Sequence, residues 1–233
     1  MSRLPEGPIL IVLTDPGIPD LDARVEAAIA GGARWVQFRD RSAERQKAVR
    51  WVRRMKESHP DVTVSVNYDL MAAHEANADG FHMPAGVEWL ADARMLLGFK
   101  VLIGRSVHPG EVEPEVNHPH APGLDYVTFG SVFPTESHAG GPVTGLAGLR
   151  HACLHTEDWG AEWDADIQGS GMRNRRNTGK PLPVIAIGGI DESNAGDCIR
   201  AGAAGAAVIR SVLLAPDPAV AVAGILKAMR EAV

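Results

Sequence analysis

Cysteine is almost missing: the 233 residues contain two, Cys153 and Cys198, far apart and in no C-x-x-C spacing. That excludes a disulfide framework and a cysteine-based metal site, and it fits a reducing compartment in which each thiol is a small core residue. A surplus of positive charge is missing too. Against 29 Asp and Glu stand 23 Lys and Arg, a formal charge of -6 spread along the chain, so no basic footprint points to nucleic acid or anionic lipid. No apolar run reaches the roughly 18 residues of a membrane span. The opening M-S-R-L-P-E-G-P leads directly into the short run I-L-I-V-L-T. The expectation is a soluble cytoplasmic protein that engages neither nucleic acid nor membrane.

What is present is a regular alternation. With 45% hydrophobic residues the chain is long enough to close a sizeable core as one domain, residues 1–233. Short β-branched runs occur at 8–14, 35–39, 63–67, 80–83, 101–106, 126–131, 183–189 and 206–210, separated by stretches with apolar spacing near 3.6. Leu21, Val25, Ala28 and Ile29 mark the first of these, and Val49, Val52 and Met55 the second. Strands alternating with helices indicate parallel βα units, and eight of them predict an α/β fold of the (β/α)8 TIM-barrel type with its site at the strand C-termini. An open doubly wound sheet would need G-x-G-x-x-G in the first βα turn, where the chain has T-D-P-G-I-P. Residues 156–180, rich in Gly, Asn and charge, lack an apolar face and read as a surface insertion between helix six and strand seven.

The polar strand ends suggest chemistry. Strand seven ends in I-A-I-G-G-I, and in barrels the loops after strands seven and eight commonly wrap a phosphate with backbone N–H groups. Gly188 and Gly189 permit a close approach, Ile209 adds an amide, and Arg210 either contacts the same anion or faces solvent. A Gly pair that merely makes a tight turn is the plainer alternative. Strand two closes in Q-F-R-D-R, with Gln37 and Arg39 on one side of the pleat and Phe38 on the other. Asn67, Ser106 and Thr135 end or follow strands three, five and six, at the height where a ligand would need them. Of nine histidines, His82, His108 and His138 fall near the mouth. His82, inside strand four, reads as a satisfied structural residue; His108, just past strand five, is best placed to move a proton.

The blocks V-Q-F-R-D-R (36–41), V-N-Y-D-L (66–70), A-D-G-F-H (78–82), I-G-R-S-V-H (103–108), D-Y-V-T-F-G-S-V-F-P-T (125–135) and V-I-A-I-G-G-I (184–190) resemble, in order and spacing, the thiamine phosphate synthase/TenI superfamily. The resemblance covers nearly all of the chain except 156–180 and implies a barrel that binds a thiazole phosphate. It offers two chemistries. The synthases couple a pyrimidine diphosphate to thiazole phosphate, with Mg²⁺ on an Asp after the strand-three Asn, a second Asp beyond strand four, and two lysines on the leaving pyrophosphate. Here those places carry Tyr68, Val87, Arg41 and Ser137-His138, and neither Tyr nor Val replaces a carboxylate ligand. TenI proteins lack these groups and carry the I-G-R-S-V-H block.

The resemblance therefore implies a TenI-like thiazole tautomerase. In that reading His108 moves one proton within a carboxythiazole phosphate, without metal or other cofactor. Gly188, Gly189, Ile209 and Arg210 hold the phosphate, and Gln37, Arg39, Asn67, Ser106 and Thr135 surround the ring. The alternatives are a thiamine phosphate synthase, recognised by pyrophosphate release, and a non-catalytic binder or regulator of such phosphates. Self-association into a homo-oligomer stays open.

Overall fold

A computed structural model describes residues 4–86, 89–108, 123–136, 140–155 and 182–233. Eight parallel strands pair in sequence order and close, β8 returning to β1. They are β1 (Ile9–Leu13), β2 (Trp35–Phe38), β3 (Thr63–Asn67), β4 (Gly80–Met83), β5 (Leu102–Val107), β6 (Tyr126–Phe129), β7 (Val184–Ile187) and β8 (Gly205–Val208). The connecting helices are α1 (Leu21–Ala30), α2 (Arg45–Ser58), α3 (Leu70–Glu75), α4 (Leu90–Leu97), α5 (Gly145–His155) and α6 (Ala195–Arg200), with α7 (Arg210–Leu213) and α8 (Pro218–Arg230) after the last strand. This is the expected single-domain (β/α)8 barrel.

Two expectations fall outside the described residues: a helix between β5 and β6, and the insertion at 156–180. One boundary moves. The eighth run was placed at 206–210, but β8 ends at Val208, the chain turns at Ile209, and Arg210 opens α7. Among the described residues no helix is long and apolar enough to cross a membrane.

The period-2 alternation of the strands divides the interior in two. Ile9, Ile11, Leu13, Trp35, Leu102, Tyr126, Ile185 and Ala207 fill the lumen. Their neighbours Leu10, Val12, Val36, Phe38, Val64, Val66, Phe81 and Ile103 face the helices. In the lumen the Trp35 indole N–H donates to Ser65 Oγ at 2.9 Å, and its ring meets Tyr126 edge-on at 5.1 Å between centroids. Gly104 of β5 makes this possible. A Cβ there would lie 2.1–2.5 Å from the Tyr126 ring, so only glycine leaves room for the phenol to cross the lumen.

The strand N-termini are fastened by carboxylates. Asp79, just before β4, accepts from the Val64 N–H of β3 at 3.0 Å and from Lys56 at 2.6 Å. Asp125, just before β6, accepts from the Ile103 N–H of β5 at 2.8 Å and from buried Arg94 at 2.6 Å. The same device thus sets the β3–β4 and β5–β6 edges, and it leaves the opposite rim to carry the site.

Candidate active site

The lumen alternation, followed up to the strand C-termini, changes from apolar to polar. Gln37, 1% exposed, points inward from β2 while Phe38 joins the outer core. Asn67, the last residue of β3, donates from Nδ2 to Gln37 Oε1 at 3.2 Å, and its Oδ1 is buried without a hydrogen-bond partner. His82 of β4 is 2% exposed, with Nδ1 3.0 Å from the Tyr126 hydroxyl and Nε2 3.0 Å from Ser106 Oγ. Burial pushes the His82 pKa down to about 3, so the imidazole is neutral. Burial, reinforced by the Asp125 charge and opposed by the nearby Gln37 amide, holds the Tyr126 pKa well above the usual phenol value.

Above this neutral floor lies positive charge. Thr14, directly after β1, accepts from the Arg39 N–H at 2.7 Å and donates to the Arg39 carbonyl at 3.2 Å, which fixes the backbone that presents Arg39. The Arg39 pKa is lowered first by burial and then by the charge of Arg41, with Asp15 opposing. An arginine stays a cation regardless. Two guanidiniums crowded beside one carboxylate form a place where an added anion relieves repulsion.

Across the mouth, β7 and β8 contribute backbone. Gly188 and Gly189 have φ of +98° and +64°. Their missing Cβ atoms have a reason different from the one the sequence suggested. A Cβ on Gly188 would lie 2.7 Å from Ser131 Cα, and one on Gly189 2.4 Å from the Pro134 carbonyl oxygen, so the loop after β6 occupies that space. Their carbonyls face protein: Phe133 N–H donates to Gly188 O, and the Asn194 amide donates to Gly189 O, each at 3.0 Å. The N–H groups of Gly188, Gly189, Ile209 and Arg210 are taken up by no turn or cap hydrogen bond among the described residues. Arg210 pairs with Glu136 at 2.8 Å on the exposed rim. His108 donates from Nδ1 to the Gly130 carbonyl at 3.2 Å.

One cavity of about 450 Å³ unites these groups. All ten residues singled out from the sequence line it: Gln37, Arg39, Asn67, Ser106, His108, Thr135, Gly188, Gly189, Ile209 and Arg210. Arg41, His82, Thr128 and Ser211 line it as well. Arg41 was noted only as a replacement for lysine, although the i, i+2, i+4 spacing from Gln37 through Arg39 was the signal for it. His82 was set aside as structural, and the buried ring is indeed fully bonded, yet it also borders the cavity.

A hard dication does not fit the residues present. The position after Asn67 carries Tyr68, whose ring centroid lies 6.1 Å from that of Trp89. Asp69 caps α3 by accepting from Ala72 N–H at 2.9 Å and also pairs with Arg45 at 3.2 Å. Among the described residues no three His, Cys, Asp or Glu side chains gather as a metal site. Val87 and Ser137-His138 lie outside the described residues.

A closed barrel with a neutral polar floor, a guanidinium pair and open backbone amides defines an α/β-barrel protein whose C-terminal mouth is receptive to anions. Residues 10–212 match the family model described as thiamine monophosphate synthase, and the chain belongs to that family. It is 37% identical over 204 residues to the thiamine-phosphate synthase of Thioalkalivibrio sulfidiphilus, covering 86% of this chain and 84% of that one. It is 36% identical to the thiamine-phosphate synthase of Methanocella arvoryzae over 217 residues, 89% of this chain and 88% of that one. Among solved structures, thiamine phosphate pyrophosphorylase from Pyrococcus furiosus superposes with a TM-score of 0.76 at 26% identity, covering 97% of this chain and 96% of that one.

These relatives correct the expected activity. The sequence pointed to a tautomerase, an isomerase, whereas relatives over most of the chain are named as synthases, which are transferases. The physical reason lies in the block that carried the expectation. In I-G-R-S-V-H, Gly104 seats Tyr126, Ser106 meets His82, and His108 meets Gly130. The block records how this lumen packs, and packing does not specify a proton shuttle.

Proposed function

We propose that the chain is a transferase of the thiamine-phosphate synthase kind, joining a hydroxymethylpyrimidine diphosphate to a thiazole phosphate. The observation that carries this reading is the 37% identity over 204 residues to a protein of that name. The cavity supports it by offering two separate anion-receptive places. The amides of Gly188, Gly189, Ile209 and Arg210 suit the compact phosphate of the thiazole, with no side-chain charge needed at close range. Arg39 and Arg41 suit the diphosphate.

In the reaction the thiazole nitrogen bonds to the exocyclic methylene carbon of the pyrimidine, the carbon–oxygen bond to the diphosphate breaks, and inorganic pyrophosphate leaves with the electron pair. Charge grows on the departing oxygen, so fixed guanidiniums beside it stabilise the transition state more than the ground state. Gln37, Asn67, Ser106 and Thr135 orient the rings between the two anion sites. His108, with Nδ1 3.2 Å from the Gly130 carbonyl, lines the rim beside them. The site residues fit no resident Mg²⁺, and no step here is routed through one.

The test is direct. Purified chain, hydroxymethylpyrimidine diphosphate and thiazole phosphate are mixed, and pyrophosphate and thiamine phosphate are quantified together. Equal amounts of both products are expected. Binding of thiazole phosphate without any pyrophosphate release would overturn the reading and leave a non-catalytic binder.

A further inference from the structure

Polar side chains at and beneath the cavity floor are hydrogen-bonded in two groups. In the first, Asn67 Nδ2 donates to Gln37 Oε1 at 3.2 Å. The second begins at the buried Tyr126 hydroxyl, which lies 3.0 Å from His82 Nδ1, and His82 Nε2 lies 3.0 Å from Ser106 Oγ. Thr128 Oγ1 lies 3.4 Å from both Ser106 Oγ and His82 Nε2.

Each link constrains the next. The buried Tyr126 phenol has one proton to give, and His82 Nδ1 is the acceptor within hydrogen-bond reach. An imidazole that accepts at Nδ1 carries its own proton on Nε2, and this N–H donates to Ser106. A protonated Nε2 cannot accept from Thr128, which therefore gives its proton to Ser106; the Ser106 oxygen then receives from both His82 and Thr128, so its remaining role is to donate. In the first group Asn67 Oδ1 is a buried acceptor with no donor, a group whose desolvation stays uncompensated until a ligand or water answers it. Ser106 and Asn67 both line the cavity, whereas Tyr126 does not.

We propose that Tyr126 and His82 are positioning residues which fix the direction of the hydrogen bonds running to Ser106, so that a ligand in the cavity meets a hydroxyl donor at Ser106 beside the amide acceptor of Asn67. His82 thereby acts through Ser106, as a neutral Nε2–H tautomer that does not exchange its proton with the ligand. Gly104 belongs to the same device, since any larger residue would displace the Tyr126 ring. A fixed donor at Ser106 and a fixed acceptor at Asn67 select ligands by the order of their donor and acceptor edges, and a ligand with the pattern reversed leaves both unsatisfied. Only the turnover readout below rests on the proposed synthase activity.

The experiment is a long-range proton–nitrogen NMR spectrum of the full chain labelled with ¹⁵N-histidine at pH 7, with the His82 signals identified by their loss in His82→Gln. A protonated Nε2 and an unprotonated Nδ1 are expected. A protonated Nδ1, or a doubly protonated ring, overturns the proposal whatever the chain catalyses. Tyr126→Phe, which keeps the ring and removes the donor, is expected to leave His82 as a mixture of tautomers; an unchanged pure Nε2–H form would show that Tyr126 does not set the direction. Turnover of the pyrimidine diphosphate with thiazole phosphate is expected to fall about tenfold in Ser106→Ala, the loss of one directed hydrogen bond, and to recover in Ser106→Thr. Unchanged turnover in Ser106→Ala overturns the donor role. A wild type with the Nε2–H tautomer and no turnover overturns the synthase reading and leaves the chain of hydrogen bonds standing.

Discussion

The two ends of the barrel use the same kinds of side chain to opposite ends. At the N-terminal end of β5 and β6, Arg94 donates to the carbonyls of Gly98, Val101 and Gly123 and to the Asp125 carboxylate, while Asp125 also accepts from Ile103 N–H. Both side chains are nearly buried, at 6% and 10% exposure, and are saturated with partners. At the C-terminal mouth, Arg39 is crowded by Arg41, Asn67 Oδ1 lacks a donor, and the amides of Gly188 and Gly189 are open. Satisfied charge holds the strands in register. Unsatisfied charge and polarity at the other end are stability left unused, available to a ligand.

The sharpest way to break this contrast is to remove a charge from the saturated end. Arg94→Leu leaves Asp125 buried and several carbonyls without donors, so a loss of about 3–5 kcal/mol is expected in urea unfolding. Turnover per folded molecule should change little. A loss under about 1 kcal/mol would show that the base does not depend on this pair. Arg39→Met is the complementary change at the mouth. It should lower kcat/KM for the pyrimidine diphosphate by about 100-fold, or about 2.7 kcal/mol, through lost stabilisation of the leaving group. Because Arg39 is repelled by Arg41, the folded state should lose little stability or gain some. A variant that unfolds easily yet keeps its kcat/KM would reverse the assignment.

The contrast also explains what could be read from the residues in order. Strand and helix periods depend on local alternation, so all eight strands were legible, and with them the rim on which Gln37, Arg39, Asn67 and Ser106 sit. The floor was less legible. His82, Tyr126 and Gly104 lie 44 residues or fewer apart in sequence, but what joins them is a ring crossing the lumen, and nothing local announces that the glycine exists to admit the phenol. The activity was harder still. Tyr68 in place of a carboxylate is visible in the sequence, and its weight against the whole-chain likeness is not. Gly188 and Gly189 were noticed for the right place and a partial reason, since the loop at Ser131 and Pro134 already requires them to lack side chains.

A pH series separates the neutral floor from the charged rim. Burial lowers the folded pKa of His82 to about 3, below its ordinary value of 6.5. Between those values the unfolded chain takes up a proton that the folded chain refuses, so stability rises with pH. The contribution is complete above pH 6.5 and is lost as pH falls toward 3, with a limiting slope of about 1.4 kcal/mol per pH unit. Carboxylates contribute at the acid end, so the window to compare is pH 5 to 6. There the unfolding free energy of wild type should climb more steeply than that of His82→Gln by about 1 kcal/mol per unit. Parallel slopes would mean that His82 is protonated in the fold, and the floor would then be no less charged than the rim.

The smallest expected effect concerns backbone strain at the mouth. Among the described residues three non-glycine residues have positive φ: Asp20, Asn77 and Tyr68, at +52°, +51° and +73°. Asp and Asn tolerate that region because their short polar side chains bond locally, whereas tyrosine pays about 1 kcal/mol to sit there. Tyr68 is held by its N–H on the His82 carbonyl at 3.0 Å while Asp69 begins the cap of α3, so the turn from strand to helix is set by its neighbours. Its half-exposed ring recovers part of the cost against Trp89, about 0.5 kcal/mol for a tilted aromatic pair. Tyr68→Asn should therefore gain about 0.5 kcal/mol and raise Tm by about 1–2 °C. A lower Tm would mean that the Tyr68–Trp89 contact outweighs the strain, which would make this part of the mouth a structural wall built to the same rule as the base.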